Sequence, residues 1–182
     1  IVFDSYVALN KALEEQFKVL PIKVELVPDT TEPYKNSAEM RKDVSKNNRF
    51  RVYKTQPETF GPPGARYKNH PLLKKSKFTD INGEPMLYND LLRAVHDYFA
   101  HNVAEIQFGP AGEFAAWKNH MAVTPDPMAR WALTSETRLQ NAWQNFRKGV
   151  KDLTLMQRGF AEQKAVLPPV NFALTEIGRA HV

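Results

Sequence analysis

Apolar residues recur along this chain with two different periods. Tyr6, Val7, Leu9, Leu13 and Phe17 keep helical spacing between Asp4 and Lys18, and Asp4 or Ser5 is placed to cap the first turn. Ile22 to Val27 then alternates apolar and polar residues until Pro28-Asp29, the signature of a half-buried strand. Ser37 starts a short helix to about Ser45, Asn47-Asn48 makes a turn, and Phe50 to Lys54 alternates again. Beyond Thr55 the periodicity lapses into Pro, Gly and Lys, with Gly61-Pro62-Pro63-Gly64 and Asn82-Gly83 as turn signals.

Helical spacing returns at Asn89, a candidate cap for a helix carrying Leu91, Leu92, Val95, Tyr98 and Phe99. Gly109-Pro110 opens a second helix, with proline at its first position. Pro125 and Pro127 punctuate the next start. Thr134 or Ser135 caps a helix holding Leu139, Trp143 and Phe146, which Gly149 ends, and Gly159 to Ala165 forms a last short one. The pattern predicts an α+β fold, mainly helical and in one domain over 1–176. A small N-terminal two-stranded sheet unit (1–55) is joined by a Pro- and Lys-rich connection (56–87) to a bundle of about four to five helices (88–169).

Composition adds bounds. Hydrophobic residues at 42% and charged residues at 25% are ordinary globular values, so a folded core is expected. The absence of cysteine excludes disulfides, thiolate metal sites and cysteine nucleophiles, and fits an intracellular protein. No apolar run approaches the roughly 18 residues of a membrane span. The formal charge of +5 is concentrated in Arg66, Lys68, Lys74, Lys75 and Lys77, which could meet nucleic acid or another polyanion, or form a solvated loop. Ile1 begins the chain without a signal-peptide pattern, as expected for a domain of a longer protein or a truncated frame. Residues 177–182 resemble translated sequencing adapter.

The unusual polar residues lie on the predicted helices between Tyr88 and Trp143. His96 and His101 are five apart, roughly 140° around an α-helix, so the pair is not expected to share a metal ion. Asp97 and His101, four apart, are expected to face the same way, as two ligands of one ion or as a carboxylate orienting an imidazole. Glu113, Trp117 and His120 form one stripe of the next helix, with Glu113 and His120 about 10 Å apart along the axis. Glu113 also suits the positive end of that helix, and His120 suits either core or site. Glu136 is the candidate general base of the third helix and Arg138 a candidate anion clamp or ion-pair partner, while Thr137, Gln140 and Asn141 extend a polar face.

Phosphate-loop, dinucleotide-fold, HExxH, GxSxG and di-iron ExxH signatures are absent. The His96-Asp97 dipeptide resembles that of HD-type phosphohydrolases. The ordered set NDLLRAVHDYFAH, FGPAGEFAAWKNH, ALTSETRLQNAW and FAEQKAVLPP resembles an uncharacterised family of phage-encoded proteins, found alone or within very large phage proteins. The likeness runs from about Ser5 to Pro169 and takes in His96, Asp97, His101, Gly112, Glu113, Trp117, His120, Glu136, Arg138, Gln140, Asn141 and Gln163. Ala100, Ala111 and Leu139 depart from it, where Gly, Arg and Gly are usual. The resemblance implies a phage or prophage origin and a place in the host cytoplasm or virion.

Two functions are expected from these residues. One is a metal-assisted hydrolase acting on a phosphate-containing or nucleic-acid substrate. In it Asp97, His101, His120 and Glu113 or Glu136 hold a divalent ion and His96 serves as acid or base. The other is a non-catalytic phage interaction domain in which the same residues form a buried polar network.

Overall fold

Helix α1 (Val2–Lys18) turns Tyr6, Leu9 and Leu13 fully inward, and this stripe is the axis on which the core is built. In the computed structural model, which describes residues 1–28, 30, 33–58, 60–62, 69–159 and 161–170, α1 packs chiefly against α5 (Pro127–Thr134) and α3 (Tyr88–His96). The helix begins before the expected caps. Ser5 is buried inside it, its hydroxyl 3.8 Å from the Met128 sulfur. The fold is α+β and mainly helical, as the periodicities predict.

Strand β1 (Lys23–Val27) pairs in parallel with β2 (Arg49–Tyr53), Val24 beside Phe50 and Leu26 beside Val52. Parallel pairing requires a crossover, which contains α2 (Ser37–Asn47). Asn36, rather than Ser37, caps α2 by accepting from the Glu39 amide, and Ser37 is buried and donates to Gln107 Oε1 at 2.7 Å. Asn48 closes the helix in the left-handed conformation.

The connection expected over 56–87 contains a second sheet. β3 (Lys75–Thr79) and β4 (Pro85–Leu87) form an antiparallel hairpin around the turn holding Gly83, whose φ is +82°. The Asp80 carboxylate accepts from the amides of Asn82, Glu84 and Leu26, so one side chain builds the turn and ties it to β1. Lys75, Lys77 and Thr79 are the exposed positions of β3, which hides its alternation in a run that reads as polar loop. A short 3-10 turn (Pro71–Leu73) leads into the hairpin.

Four further expectations change. Helix α3 starts at Tyr88. Asp90 accepts from the amides of Leu87 and Thr55, and Asn89 donates to the Thr55 hydroxyl instead of capping the helix. The helix expected to start at Thr134 or Ser135 is the continuation of α5 through a π-helical segment (Ser135–Leu139) into α6 (Gln140–Phe146). Thr134 and Thr137 donate back to the carbonyls of Arg130 and Leu133, which lets these residues sit inside a helix, and Asp126 is the real cap. The helix stops at Phe146, ahead of Gly149, and Trp143 is 41% exposed. No helix spans 161–165. The last helix whose whole span lies among the described residues is α7 (Leu155–Arg158), and residues 161–169 have no regular secondary structure and are fixed by bonds from Ser135 and Trp131 to the carbonyls of Val166 and Pro168.

Candidate metal centre

Helix α3 does not continue as an α-helix past His96. Residues Asp97–Val103 form a π-helix, in which the backbone bonds to the fifth residue back and the fifth side chain lies over the first. His96 and His101, expected on different faces, therefore stand side by side with ring centroids 5.4 Å apart. Helix α4 (Pro110–Ala122) brings Glu113 to both. Its Oε2 lies 3.3 Å from His96 Nε2 and its Oε1 lies 3.3 Å from His101 Nε2. One ligand atom from each of His96, His101 and Glu113 falls within 4.8 Å of the others, so the three can hold a single metal ion.

Asp97 is not part of this set. In a π-turn its position four residues before His101 no longer stacks on the imidazole, and the side chain is left half-buried on a cavity wall. Burial raises its pKa, while the neighbouring His96 and His101 charges act against that shift. His120 is not a ligand either. It is fully buried behind His96, the two Nδ1 atoms 3.3 Å apart.

The hydrogen bonds around the two imidazoles determine where their lone pairs point. Gln16 Nε2 donates to the Val123 carbonyl and to Thr124 Oγ1, so Gln16 turns its Oε1 toward His120 Nε2, 3.3 Å away. His120 Nε2 must then carry a proton. Burial and the neighbouring His96 hold its pKa well below normal, so the ring is neutral and its Nδ1 is an acceptor. His96 Nδ1 must donate to it, which leaves His96 Nε2 facing Glu113. His101 is wired the same way: Nδ1 donates to the Ile106 carbonyl at 3.0 Å, and Nε2 is buried without a hydrogen-bond partner. Both rings are anchored through Nδ1 and direct Nε2 at one carboxylate, the arrangement of metal-ligating histidines.

Charge agrees with this geometry. Burial by itself would raise the Glu113 pKa, but His101 and His96 reverse the effect and hold it down at about 2. Burial lowers the His101 pKa and Glu113 outweighs it, leaving the group raised.

His96 and Glu113 line a cavity of about 500 Å³ that Glu136 also lines. Glu136 is buried. It accepts from the Tyr6 hydroxyl on Oε1 and from Gln140 Nε2 on Oε2 at 2.9 Å, and burial pushes its pKa up to about 7. His70 has its Nε2 3.7 Å from Glu136 Oε1, and burial pushes its pKa down to about 4. Arg138 does not line the cavity: its guanidinium lies 4.4 Å over the Phe114 ring, with Nε and Nη1 buried and without hydrogen bonds. It makes no ion pair among the described residues. Trp117 belongs to the core, 1% exposed, donating to Thr134 Oγ1. Thr137, Gln140 and Asn141 do line the cavity.

Of the basic run, Arg66 and Lys68 lie outside the described residues. Lys77 pairs with Glu14 on α1, Lys74 stands over the Phe3 ring, Lys75 is exposed on β3, and none of these three lines the cavity. Among the described residues no helix is long and apolar enough to cross a membrane. Tyr6 and Gln16 are not among the site residues expected from the sequence, and Gln163 enters there only through the motif resemblance. Gln16 was legible in part, because it continues the buried Leu9–Leu13 stripe at helical spacing. Comparison with protein-family models, with curated proteins and with solved structures found no match for this chain.

Proposed function

We propose that this protein is a metal-dependent hydrolase whose ion is held by His96, His101 and Glu113. The observation that carries the reading is the shared wiring of the two imidazoles, each fixed at Nδ1 and presenting Nε2 to one carboxylate beside an open cavity. Two imidazoles and a carboxylate, with a further position left to water, form the ligand set of catalytic zinc sites. An ion there lowers the pKa of its bound water and supplies a nucleophile at neutral pH. Glu136, with a pKa of about 7, is matched to proton transfer in the cavity, and Asp97 is a second carboxylic acid that lines it.

Relative to the expectation from the sequence, the ligand set gains His96, keeps His101 and Glu113, and releases Asp97 and His120. A phage setting, implied by the motif resemblance, is part of the proposal. A phosphate-containing substrate was expected from the basic run, and the described part of that run does not reach the cavity.

The interaction-domain reading is favoured by one observation, the fully buried His120–Gln16–Thr124 network, and opposed by the open cavity beside it. Elemental analysis of the purified chain and of its His101→Ala and Glu113→Gln variants separates the two. About one equivalent of zinc, manganese or iron, lost in both folded variants, supports the hydrolase. A folded, metal-free protein that takes up no added zinc overturns it.

A further inference from the structure

The cavity is also lined by residues of the α5–α6 helix, and these are rich in amides. Gln140 and Gln163 are committed to the protein. Each donates its Nε2 to the other's Oε1, at 3.0 and 3.1 Å, and Gln140 also serves Glu136. Asn145 is committed as well, accepting from Arg158 Nη1 and donating to the Asn141 carbonyl. Asn141 and Gln144 differ. Both line the cavity, neither side-chain amide has a hydrogen-bond partner among the described residues, and the Asn141 Oδ1 is buried without one. They are three residues apart on one helix, about 4.5 Å along its axis, and so are neighbours on the same face.

The Asn141 Nδ2 and the Gln144 amide make no bond within the described residues, so on this cavity wall they keep hydrogen-bonding capacity for a ligand. The chemistry of that ligand follows from what surrounds it. An amide presents a donor and an acceptor side by side, which suits a partner that also does both. The charged groups lining the cavity among the described residues are mostly acidic: Asp97, Glu113 and Glu136. Arg93, the cation there, donates to the Tyr53 carbonyl. Beyond the metal ion itself, the wall offers an anionic substrate little.

We infer that Asn141 and Gln144 form a recognition site for a neutral, polyhydroxylated ligand, a saccharide whose neighbouring hydroxyls bind these two amides while the bond to be cleaved faces His96, His101 and Glu113. This rests on the hydrolase reading for the cleavage but not for the binding. The reciprocal Gln140–Gln163 pair and the Arg158–Asn145 bond fix the helix face on which the two free amides stand, so the site is preformed.

The test is isothermal titration of the full chain, with and without one equivalent of zinc, using cellotriose, maltotriose and triacetylchitotriose as probes. Triglycine and thymidine triphosphate are titrated as competing chemistries. The inference expects at least one saccharide to bind in both states, and to bind about tenfold more weakly in each of Asn141→Leu and Gln144→Leu, with melting temperature and zinc content unchanged. Binding of triglycine or the nucleotide in place of every saccharide overturns it. So does saccharide binding that survives both substitutions, or no saccharide binding at all. Zinc content read on the same samples keeps the two ideas apart. Normal zinc with no saccharide binding removes this inference alone, and saccharide binding without zinc uptake removes only the metal reading.

Discussion

His96 and His101 are five residues apart in the chain and 5.4 Å apart between ring centroids, and Glu113 reaches both at 3.3 Å. A π-turn makes that pairing and an α-turn would undo it. The partners behind the rings, His120 and the Ile106 carbonyl, fix which nitrogen of each faces the carboxylate.

The first prediction concerns the residue behind the ligands. Replacing His120 by Phe keeps a ring in the buried space but removes the acceptor that holds His96 Nδ1–H. Zinc affinity is expected to fall by about 10–100-fold, the usual cost of losing the group that orients a ligand. Competition with a chromogenic chelator measures it, and unchanged affinity would mean His96 needs no such orientation.

Zinc binding is also expected to be pH-dependent. Glu113 raises the His101 pKa above its ordinary 6.5, so near neutral pH an incoming ion displaces a proton. Affinity should therefore climb through neutrality, and Glu113→Gln should shift the His101 titration to lower pH as seen by imidazole NMR in the metal-free protein. A His101 titration unmoved by Glu113→Gln would contradict the arrangement.

Glu136 predicts a stability change in the other direction. Its folded pKa of about 7 lies above its ordinary 4.5, so the folded state binds the proton more strongly. That contribution is complete below about pH 4.5 and is lost as pH rises through 7. The full loss is on the order of 3 kcal/mol as an upper limit. Glu136→Gln cannot ionise, and its melting temperature should exceed that of the unaltered protein at pH 8 but not at pH 4.

Gly112 supplies a fourth test. A Cβ on it would fall 1.8 Å from the Gln107 carbonyl oxygen, so Gly112→Ala must push the 104–109 segment away from α4. That segment carries the Ile106 carbonyl which orients His101. A loss of about 1–3 kcal/mol is expected from the steric conflict, together with weaker zinc binding. Thermal melts and the chelator assay on one sample report both, and a variant normal in both would show that the two segments are not in contact.

The sequence located the right helices and assigned part of the site to the wrong geometry. Periodicity identified α1, β1, α2, β2, α3 and α4, because each has an apolar face against the core. It missed the β3–β4 hairpin, whose outward positions carry lysines and whose inward ones are Ser76 and Phe78. Residue type and position point to Glu113 and His101 as ligands, whereas 100° per residue carried through Ala100 gives His96 the role of acid or base instead of ligand. Side-chain pattern carries no mark of a change from α to π winding, since the backbone bonds that define it are not written in residue type. Asp97 was misplaced for the same reason, and Arg138 because a cation stacked on a ring reads in sequence like any other charge.

A π-turn holds one more residue than the α-turn it replaces. Between His96 and His101 that extra residue is what lets side chains five apart share a face. Side chains brought together in this way stand at an offset of five, so a search for histidines spaced by three or four would pass over every such pair, the candidate pair His96 and His101 included.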